Sequence, residues 1–131
     1  MSFLSPMLAN SQAGLTIRNE RNRRELANEL IAAFDSKTRR TGLLKHETLA
    51  DGTAMVIAPT NAIHTFFMRF AIDVAFVTRE GRIVKACHAL KPWRIAIAPG
   101  AFAVIELPPG TLARCNTVWG DTLSILPAEQ V

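Results

Sequence analysis

A long apolar run with charges near its start places the strongest constraint on the fold. Residues 63–81 favour β-structure, and Arg69 and Asp73 interrupt their apolar character. Over 72–77 neither alternating face is polar apart from Asp73, which predicts a central strand covered on both sides. An isolated buried charge costs several kcal/mol, so charges in such a strand need partners. Arg69 and Asp73 are therefore the first candidates for a functional site.

Size and composition indicate a single globular domain. The chain has 131 residues, of which 49% are hydrophobic and 20% charged, enough to form a core without disulfides or metals. No apolar run has the length of a membrane span. The first 13 residues lack the basic region of a signal peptide, so we predict a cytoplasmic protein, with export as the open alternative. Cys87 and Cys115 have no metal-binding spacing and are predicted to be small, half-buried residues.

The positive charge is concentrated in the N-terminal third. Residues 1–46 contain eight basic and four acidic side chains, whereas residues 47–131 contain seven of each. The net charge of +4 therefore belongs to the first segment, and the β-rich remainder is not a basic platform. Arg21, Arg23 and Arg24 form a basic cluster in that segment, with two interpretations: contact with phosphates, or a solvated helix start.

Helices are predicted only before the main run of strands. A flexible arm is expected over 1–14, ahead of one domain over 15–131. Asn22 and Glu25 have the spacing of a capping box, and apolar residues then recur at helical intervals, which predicts an amphipathic helix over 23–34. A shorter helical segment is predicted over 37–45. Turns rich in Pro and Gly separate predicted strands at 15–18, 53–58, 63–68, 71–78, 82–90, 94–98, 102–107 and 122–126.

These elements define an α+β fold class that is mainly β. Short strands at close spacing indicate an antiparallel β-sandwich or a partly open barrel. One amphipathic helix and a short helical turn near the N-terminus complete the prediction. The helix over 23–34 is expected to cover one face of the strand over 72–77.

An ordered series of landmarks resembles a known family. They are Arg40-x-Gly42-Leu43-Leu44, Leu49, Gly52, Met55, Phe66-Phe67-Met68-Arg69, Ile72-Asp73, Gly81-Arg-Ile-Val84, Pro99, Val104-Ile-Glu106-Leu107-Pro-x-Gly110 and Gly120-Asp121. Their order is similar to that in domain of unknown function family 192, over about residues 40–125. The resemblance implies a mainly β, sandwich-like domain and a site but no established activity. Many relatives begin with an export or lipoprotein signal, which we do not expect in this chain, so the resemblance implies no cellular location. Residues 15–35 look longer than the usual family start.

Arg69 and Asp73 have a functional and a structural interpretation. In an uninterrupted strand they would share a face about 13 Å apart, and a bulge would bring them closer. Functionally, the guanidinium would fix an anionic ligand while Asp73 orients it. Structurally, the two would form an ion pair, or Asp73 would accept hydrogen bonds from backbone N–H groups at a strand junction.

His64, Trp93 and Arg94 are the further candidates. His64 shares a face with Phe66 and Met68, and is either a general base or ligand contact, or a half-buried structural histidine. Trp93 and Arg94 put an aromatic ring beside a cation at a turn, which suits a sugar, nucleotide or carboxylate ligand. The alternative is a surface tryptophan that lies over a loop.

Three other residues receive structural predictions. Trp119 is expected in or near the core, and Asp121 is expected to be a turn residue. Glu106 alternates with Ile105 and Leu107, which suits an edge strand or a solvated face.

The favoured function is a binding module with a pocket for a small anionic or polar ligand. Its candidate residues are Arg69, Asp73, His64, Trp93 and Arg94. No phosphate-binding loop, dinucleotide fingerprint or zinc pattern occurs, so no cofactor is predicted. One alternative is a small hydrolase or lyase that uses Asp73 and His64 as acid and base. The other is nucleic-acid binding through the basic segment 18–40, which we rank last.

Overall fold

The computed structural model describes residues 2–9, 14–35, 38 and 48–128. Within these ranges lie two short helices, α1 (Ser5–Ala9) and α2 (Thr111–Arg114). The strands are β1 (Leu15–Asn19), β2 (Glu25–Ala27), β3 (Glu29–Ala33), β4 (Thr53–Ile57), β5 (Ala62–His64), β6 (Ile72–Val77), β7 (Ile83–Leu90), β8 (Ile95–Ile97), β9 (Ala103–Leu107) and β10 (Leu123–Pro127). The prediction of a mainly β fold is confirmed.

The strands form three sheets. A five-stranded sheet has the order β3-β4-β9-β6-β7, a three-stranded sheet the order β10-β1-β2, and β5 pairs with β8. Strands β3 and β4 pair in parallel, whereas β9 pairs antiparallel with both β4 and β6. The fold is thus a sandwich of a mixed five-stranded sheet and an antiparallel three-stranded sheet, with an additional antiparallel two-stranded layer.

Each face of the five-stranded sheet packs against another sheet. On one face, Ala75 and Ile105 belong to a core shared with Ile17 and Leu123 of the three-stranded sheet. On the other face, residues of β4, β6 and β9 belong to a second core shared with the β5–β8 layer. All six residues of β6 are consequently buried. The prediction that this strand is covered on both sides is confirmed, although strands rather than a helix cover it.

The predicted amphipathic helix over 23–34 is wrong. This segment forms β2, which pairs with β1, and β3, which pairs with β4. Asn22, the expected helix cap, instead donates from Nδ2 to the carbonyl of Cys115 at 2.8 Å. The helical spacing of apolar residues was real, but sheet pairing satisfies the backbone of the segment while still burying Leu26 and Ala27.

The N-terminal residues also differ from the flexible arm expected over 1–14. Residues 5–9 form α1, and Phe3 and Leu4 are buried in the core shared with the three-stranded sheet. The backbone N–H of Phe3 donates to the carbonyl of Arg79 at 2.6 Å. The described part of the arm therefore packs on the domain, because its apolar side chains fill the end of the sandwich.

Several boundaries position the site. Strand β5 ends at His64, earlier than predicted, and 65–71 form turns before β6 begins. The helical segment predicted over 37–45 lies outside the described residues, apart from Thr38. Among the described helices, none is long and apolar enough to cross a membrane.

Candidate functional site

Asp73 has a structural role in the scaffold. Its side chain is fully buried, and its two carboxylate oxygens accept hydrogen bonds from the backbone N–H groups of Ala89 at 2.8 Å and Leu112 at 2.9 Å. Gly110, at the start of α2, has no side chain to cap the helix, and the carboxylate of Asp73 takes that role. This arrangement matches one of the two structural interpretations of Asp73, in which it accepts hydrogen bonds from backbone N–H groups at a strand junction.

The structure does not bring Asp73 together with the other candidates. Asp73 lies on the face of β6 that packs against the three-stranded sheet, as Ala75 and Val77 do. His64 belongs to the β5–β8 layer on the opposite face and is exposed, and Arg69 is exposed as well. An acid–base pair of Asp73 and His64, which needs both groups at one point, is therefore contradicted.

Four aromatic rings form a continuous cluster that we call the aromatic surface: His64, Phe66, Phe67 and Trp93. Three of them are exposed and Phe66 is half-buried. The rings of His64 and Phe66 stack with centroids 4.9 Å apart, and those of Phe66 and Trp93 with centroids 5.7 Å apart. Phe67 meets Trp93 edge-on at 4.6 Å. Phe67 is 67% exposed and Trp93 is 56% exposed. An exposed Trp93 is compatible both with a ligand contact and with a surface tryptophan that lies over a loop.

Thr65 holds the two loops that carry these rings. It is fully buried, and its N–H donates to the carbonyl of Arg94 at 2.8 Å. Its Oγ1 donates to the carbonyl of Lys91 at 2.6 Å and accepts the N–H of Arg94 at 2.9 Å. The N–H of Trp93 donates to the carbonyl of Thr65 at 3.0 Å. Sequence reasoning gave Thr65 no role, because a threonine beside an aromatic run does not reveal a partner 26 residues away.

Two rings of the aromatic surface are presented from strained backbone. Phe67 has φ of 67° and Trp93 has φ of 65°. The left-handed region costs a residue with a Cβ about 1–2 kcal/mol, and such strain is concentrated at functional sites. Both residues are largely exposed, so burial of their own side chains does not offset much of that cost.

Cations surround the aromatic surface. Arg69, Lys91 and Arg94 are exposed, and Arg94 places a guanidinium nitrogen 3.3 Å from the carbonyl oxygen of Pro92. Segments 61–72 and 85–102 together contain four Lys and Arg residues and no acidic residue. Although residues 47–131 have a net charge of zero, these two segments of them are locally positive.

A second polar network joins the two ends of the chain. Arg21 binds Asp121 with both side-chain arms, Nε to Oδ1 at 2.7 Å and one terminal nitrogen to Oδ2 at 3.0 Å. Asn19, fully buried, donates to the same carboxylate at 2.9 Å. The hydrogen bond from Arg21, ahead of all other causes, lowers the pKa of Asp121 well below its ordinary value. Asp121 is thus an ion-pair partner as well as a turn residue.

This network affects both interpretations of the basic cluster formed by Arg21, Arg23 and Arg24. The side chain of Arg21, half exposed, is committed to Asp121, and one guanidinium nitrogen of Arg24 lies 3.3 Å from the carbonyl oxygen of Arg114. Arg23 is exposed in the turn between β1 and β2. The cluster does not lie at a helix start, because the helix is absent from 23–34.

Two residues are placed differently from their predictions. Glu106 is 4% exposed in the middle strand of the five-stranded sheet, rather than at an edge. Burial raises its pKa to about 7. Trp119 is 67% exposed rather than in the core, and the guanidinium of Arg82 lies 5.9 Å from the centre of its ring.

Thiol and metal chemistry receive little support from the described residues. Within them, no group of three or more His, Cys, Asp or Glu side chains could hold a metal ion. Cys87 and Cys115 are free thiols, and burial raises the pKa of each.

The fold and the site together define a small, mainly β domain with an aromatic surface beside exposed cations. The profile of the DUF192 family, described as "Uncharacterized ACR", matches residues 16–125, and the chain belongs to this family. The resemblance drawn from the sequence landmarks is therefore confirmed, but the family match begins at residue 16 rather than at about residue 40, so it includes the segment that looked longer than the usual family start.

Two solved structures share the fold. A protein from Sinorhizobium meliloti, described as a proposed transcription regulator, has a TM-score of 0.73 and 19% identity, with 84% of this chain and 90% of that chain covered. A protein of unknown function from Novosphingobium aromaticivorans also has a TM-score of 0.73, with 21% identity and coverage of 84% and 82%. A search of curated proteins gives no match to this sequence.

Proposed function

We propose that this protein is a binding module for a small anionic ligand, held at the aromatic surface. The observation that supports the proposal is the pair of exposed rings, Phe67 and Trp93, each in left-handed backbone. A fold under selection for stability alone would place glycine or asparagine at such positions. Retaining a large exposed ring there at a cost in stability makes sense if the ring contacts a ligand.

The side chains around the rings indicate the ligand class. Trp93 and Phe67 offer aromatic edges and faces to a flat or apolar part of a ligand. Arg69 and Arg94 offer planar donors to a phosphate or carboxylate. Asp73, whose oxygens are occupied by backbone N–H groups, belongs to the scaffold of this site rather than to its ligand contacts.

Trp93 provides a direct assay. The chain contains two tryptophans and no tyrosine, so the Trp119→Phe variant has Trp93 as its sole strong fluorophore. This variant is titrated with inorganic phosphate, nucleotides, sugar phosphates and aromatic carboxylates. We expect saturable quenching or a spectral shift with at least one phosphate- or carboxylate-bearing compound.

A matched pair of arginine variants tests the role of the cation. In the single-tryptophan background, Arg94→Ala is expected to weaken binding by about tenfold or more, because it removes a charge-assisted hydrogen bond. Arg114→Ala, which removes an exposed cation on α2, is expected to leave the affinity unchanged. A flat response to every compound, or equal losses in both variants, would overturn the proposal.

Nucleic-acid binding through 18–40 receives weaker support. Arg21 is engaged by Asp121, and the expected basic helix is replaced by strands β2 and β3. The proposed regulatory role of the Sinorhizobium meliloti protein concerns that protein, and the two chains are 19% identical. An anionic ligand at the aromatic surface needs none of these arginines.

A further inference from the structure

The aromatic surface continues into an exposed apolar strand face. Ile95 and Ile97 flank Ala96 in β8, which directs both isoleucine side chains to one side, and Trp93 lies in the loop just before this strand. Trp93, Ile95 and Ile97 are 56%, 63% and 53% exposed. Across the β5–β8 pair, His64 faces Ile95 and Ala62 faces Ile97. We call Phe67, Trp93, Ile95 and Ile97 the docking face.

The buried residue between these positions explains their outward direction. Ala96 is 5% exposed and belongs to the core between the β5–β8 layer and the five-stranded sheet. Since neighbours on a strand point to opposite sides, the burial of Ala96 sends Ile95 and Ile97 outward. The exposure of two isoleucines is therefore a consequence of how the layer packs, and it is not a feature of a frayed end.

Several basic side chains accompany the docking face. Arg69, Lys91 and Arg94 are exposed in its two loops, and Lys85 donates from Nζ to the carbonyl of Ile97 at 3.0 Å. The two segments of sequence that contain these four cations, 61–72 and 85–102, contain no acidic residue. An occupant that covers the apolar centre and touches this rim should therefore be anionic.

We propose that the docking face binds the surface of an anionic lipid bilayer. Trp, Phe and Ile would enter the boundary between head groups and acyl chains while Arg and Lys contact anionic head groups. The inference rests on the proposed function, because the anion held by Arg69 and Arg94 would be the head group.

Area and composition favour a bilayer over a protein partner. The four side chains expose on the order of 400 Å² in total, about half of what one partner buries in a stable protein interface. The cations Lys85, Lys91 and Arg94 lie beside the apolar side chains, and this composition complements an anionic head-group surface. A lipid surface requires neither a larger area nor directional hydrogen bonds.

Vesicle binding of the full chain tests the proposal. Vesicles of phosphatidylcholine alone are compared with vesicles that also contain phosphatidylglycerol, by co-sedimentation and by the emission of Trp93 in the Trp119→Phe variant. We expect binding and a blue shift only with the anionic vesicles, and weaker binding as salt increases. Quenching by lipids brominated in the acyl chains would report insertion of Trp93.

Paired variants separate the apolar and charged contributions. Ile95→Ser combined with Ile97→Ser is expected to lower vesicle affinity by about tenfold or more, while soluble anions still quench Trp93. Val118→Ser serves as the control, because Val118 is similarly exposed at 52% on another turn. Arg94→Ala is expected to weaken both vesicle and soluble-anion binding. The Trp93 emission measurement needs no isoleucine variant and remains decisive if the double variant does not fold.

The outcomes are distinguishable. Soluble-anion binding without vesicle binding would overturn the bilayer proposal and leave the proposed function intact, whereas absence of both would overturn both. Equal binding to neutral and anionic vesicles, or an undiminished affinity in the double isoleucine variant, would overturn the bilayer proposal. So would self-association that the isoleucine variants abolish, since a second copy would then be the occupant.

Discussion

Replacement of Glu106 by glutamine should remove a specific part of the dependence of stability on pH. Glu106 lies in the middle strand of the five-stranded sheet, opposite Met55 on β4 and Val74 on β6. Both neighbours are apolar and buried, so the carboxyl is surrounded across the sheet by groups that disfavour its charged form. Burial accordingly raises its pKa from 4.5 to about 7.

The sign and size of the effect follow from that shift. Below pH 4.5 the carboxyl is protonated in both the folded and the unfolded state, and its contribution is fully present. As the pH rises to about 7, the unfolded chain releases the proton first, so the folded state loses stability. At about 1.4 kcal/mol per pKa unit, the loss reaches about 3 kcal/mol. It is complete once the pH is above the folded pKa.

The assay is urea unfolding of wild type and Glu106→Gln across this range. The difference between the two free energies of unfolding should change by about 3 kcal/mol between about pH 3.5 and about pH 8. The glutamine side chain does not titrate, so its own effect on stability is the same at every pH and cancels when the difference at one pH is compared with that at another. Glu29→Gln, at an exposed glutamate of β3, controls for loss of a surface carboxylate. Parallel curves for wild type and Glu106→Gln would refute the reasoning, because the carboxyl would then titrate as it does in water.

Three further predictions concern the scaffold. Asp73→Ala should lower the free energy of unfolding by about 3 kcal/mol or more in urea titrations, because two backbone N–H groups lose a charged acceptor; Arg69→Ala, by contrast, should keep the fold. The lowered pKa of Asp121 means that its contribution to stability is present above pH 3.8 and is lost as the pH falls below that value. Arg21→Ala should lower the free energy of unfolding near neutrality and flatten this acid loss, as urea titrations at several pH values would show. Phe67→Gly should leave thermal stability unchanged or raise it by up to about 1 kcal/mol, since it relieves left-handed strain; a clear loss would show that the ring stabilises the fold.

The strand framework was predictable from local pattern. The apolar run at 72–77 with both faces nonpolar required a strand covered on two sides, and β6 is one. Turn residues separated most of the other strands near their observed ends. The helix over 23–34 failed for a nonlocal reason: spacing of apolar residues is compatible with either structure, and the pairing of β3 with β4 decides between them.

The candidate site was predictable in composition but not in geometry. Trp93, Arg94 and His64 were identified from residue type, and their loops meet through Thr65. Glu106 was misplaced because alternation along a strand distinguishes two faces without revealing whether the second face is covered. The cover over that face comes from β5 and β8, which are distant in sequence.

Two buried polar side chains, those of Asp73 and Thr65, show why Asp73 was wrongly expected to contact a ligand. Asp73 and Thr65 are both fully buried, and each satisfies backbone groups from a loop remote in sequence. A buried carboxylate or hydroxyl that is bonded to backbone groups is out of reach of a ligand, but it can fix the loops to which those backbone groups belong. Asp73 fixes the end of β7 through Ala89, and Thr65 fixes the following loop through Lys91 and Arg94. In this domain Asp73 and Thr65 therefore hold loops from the interior, and the loops held by Thr65 carry the exposed rings of Phe67 and Trp93.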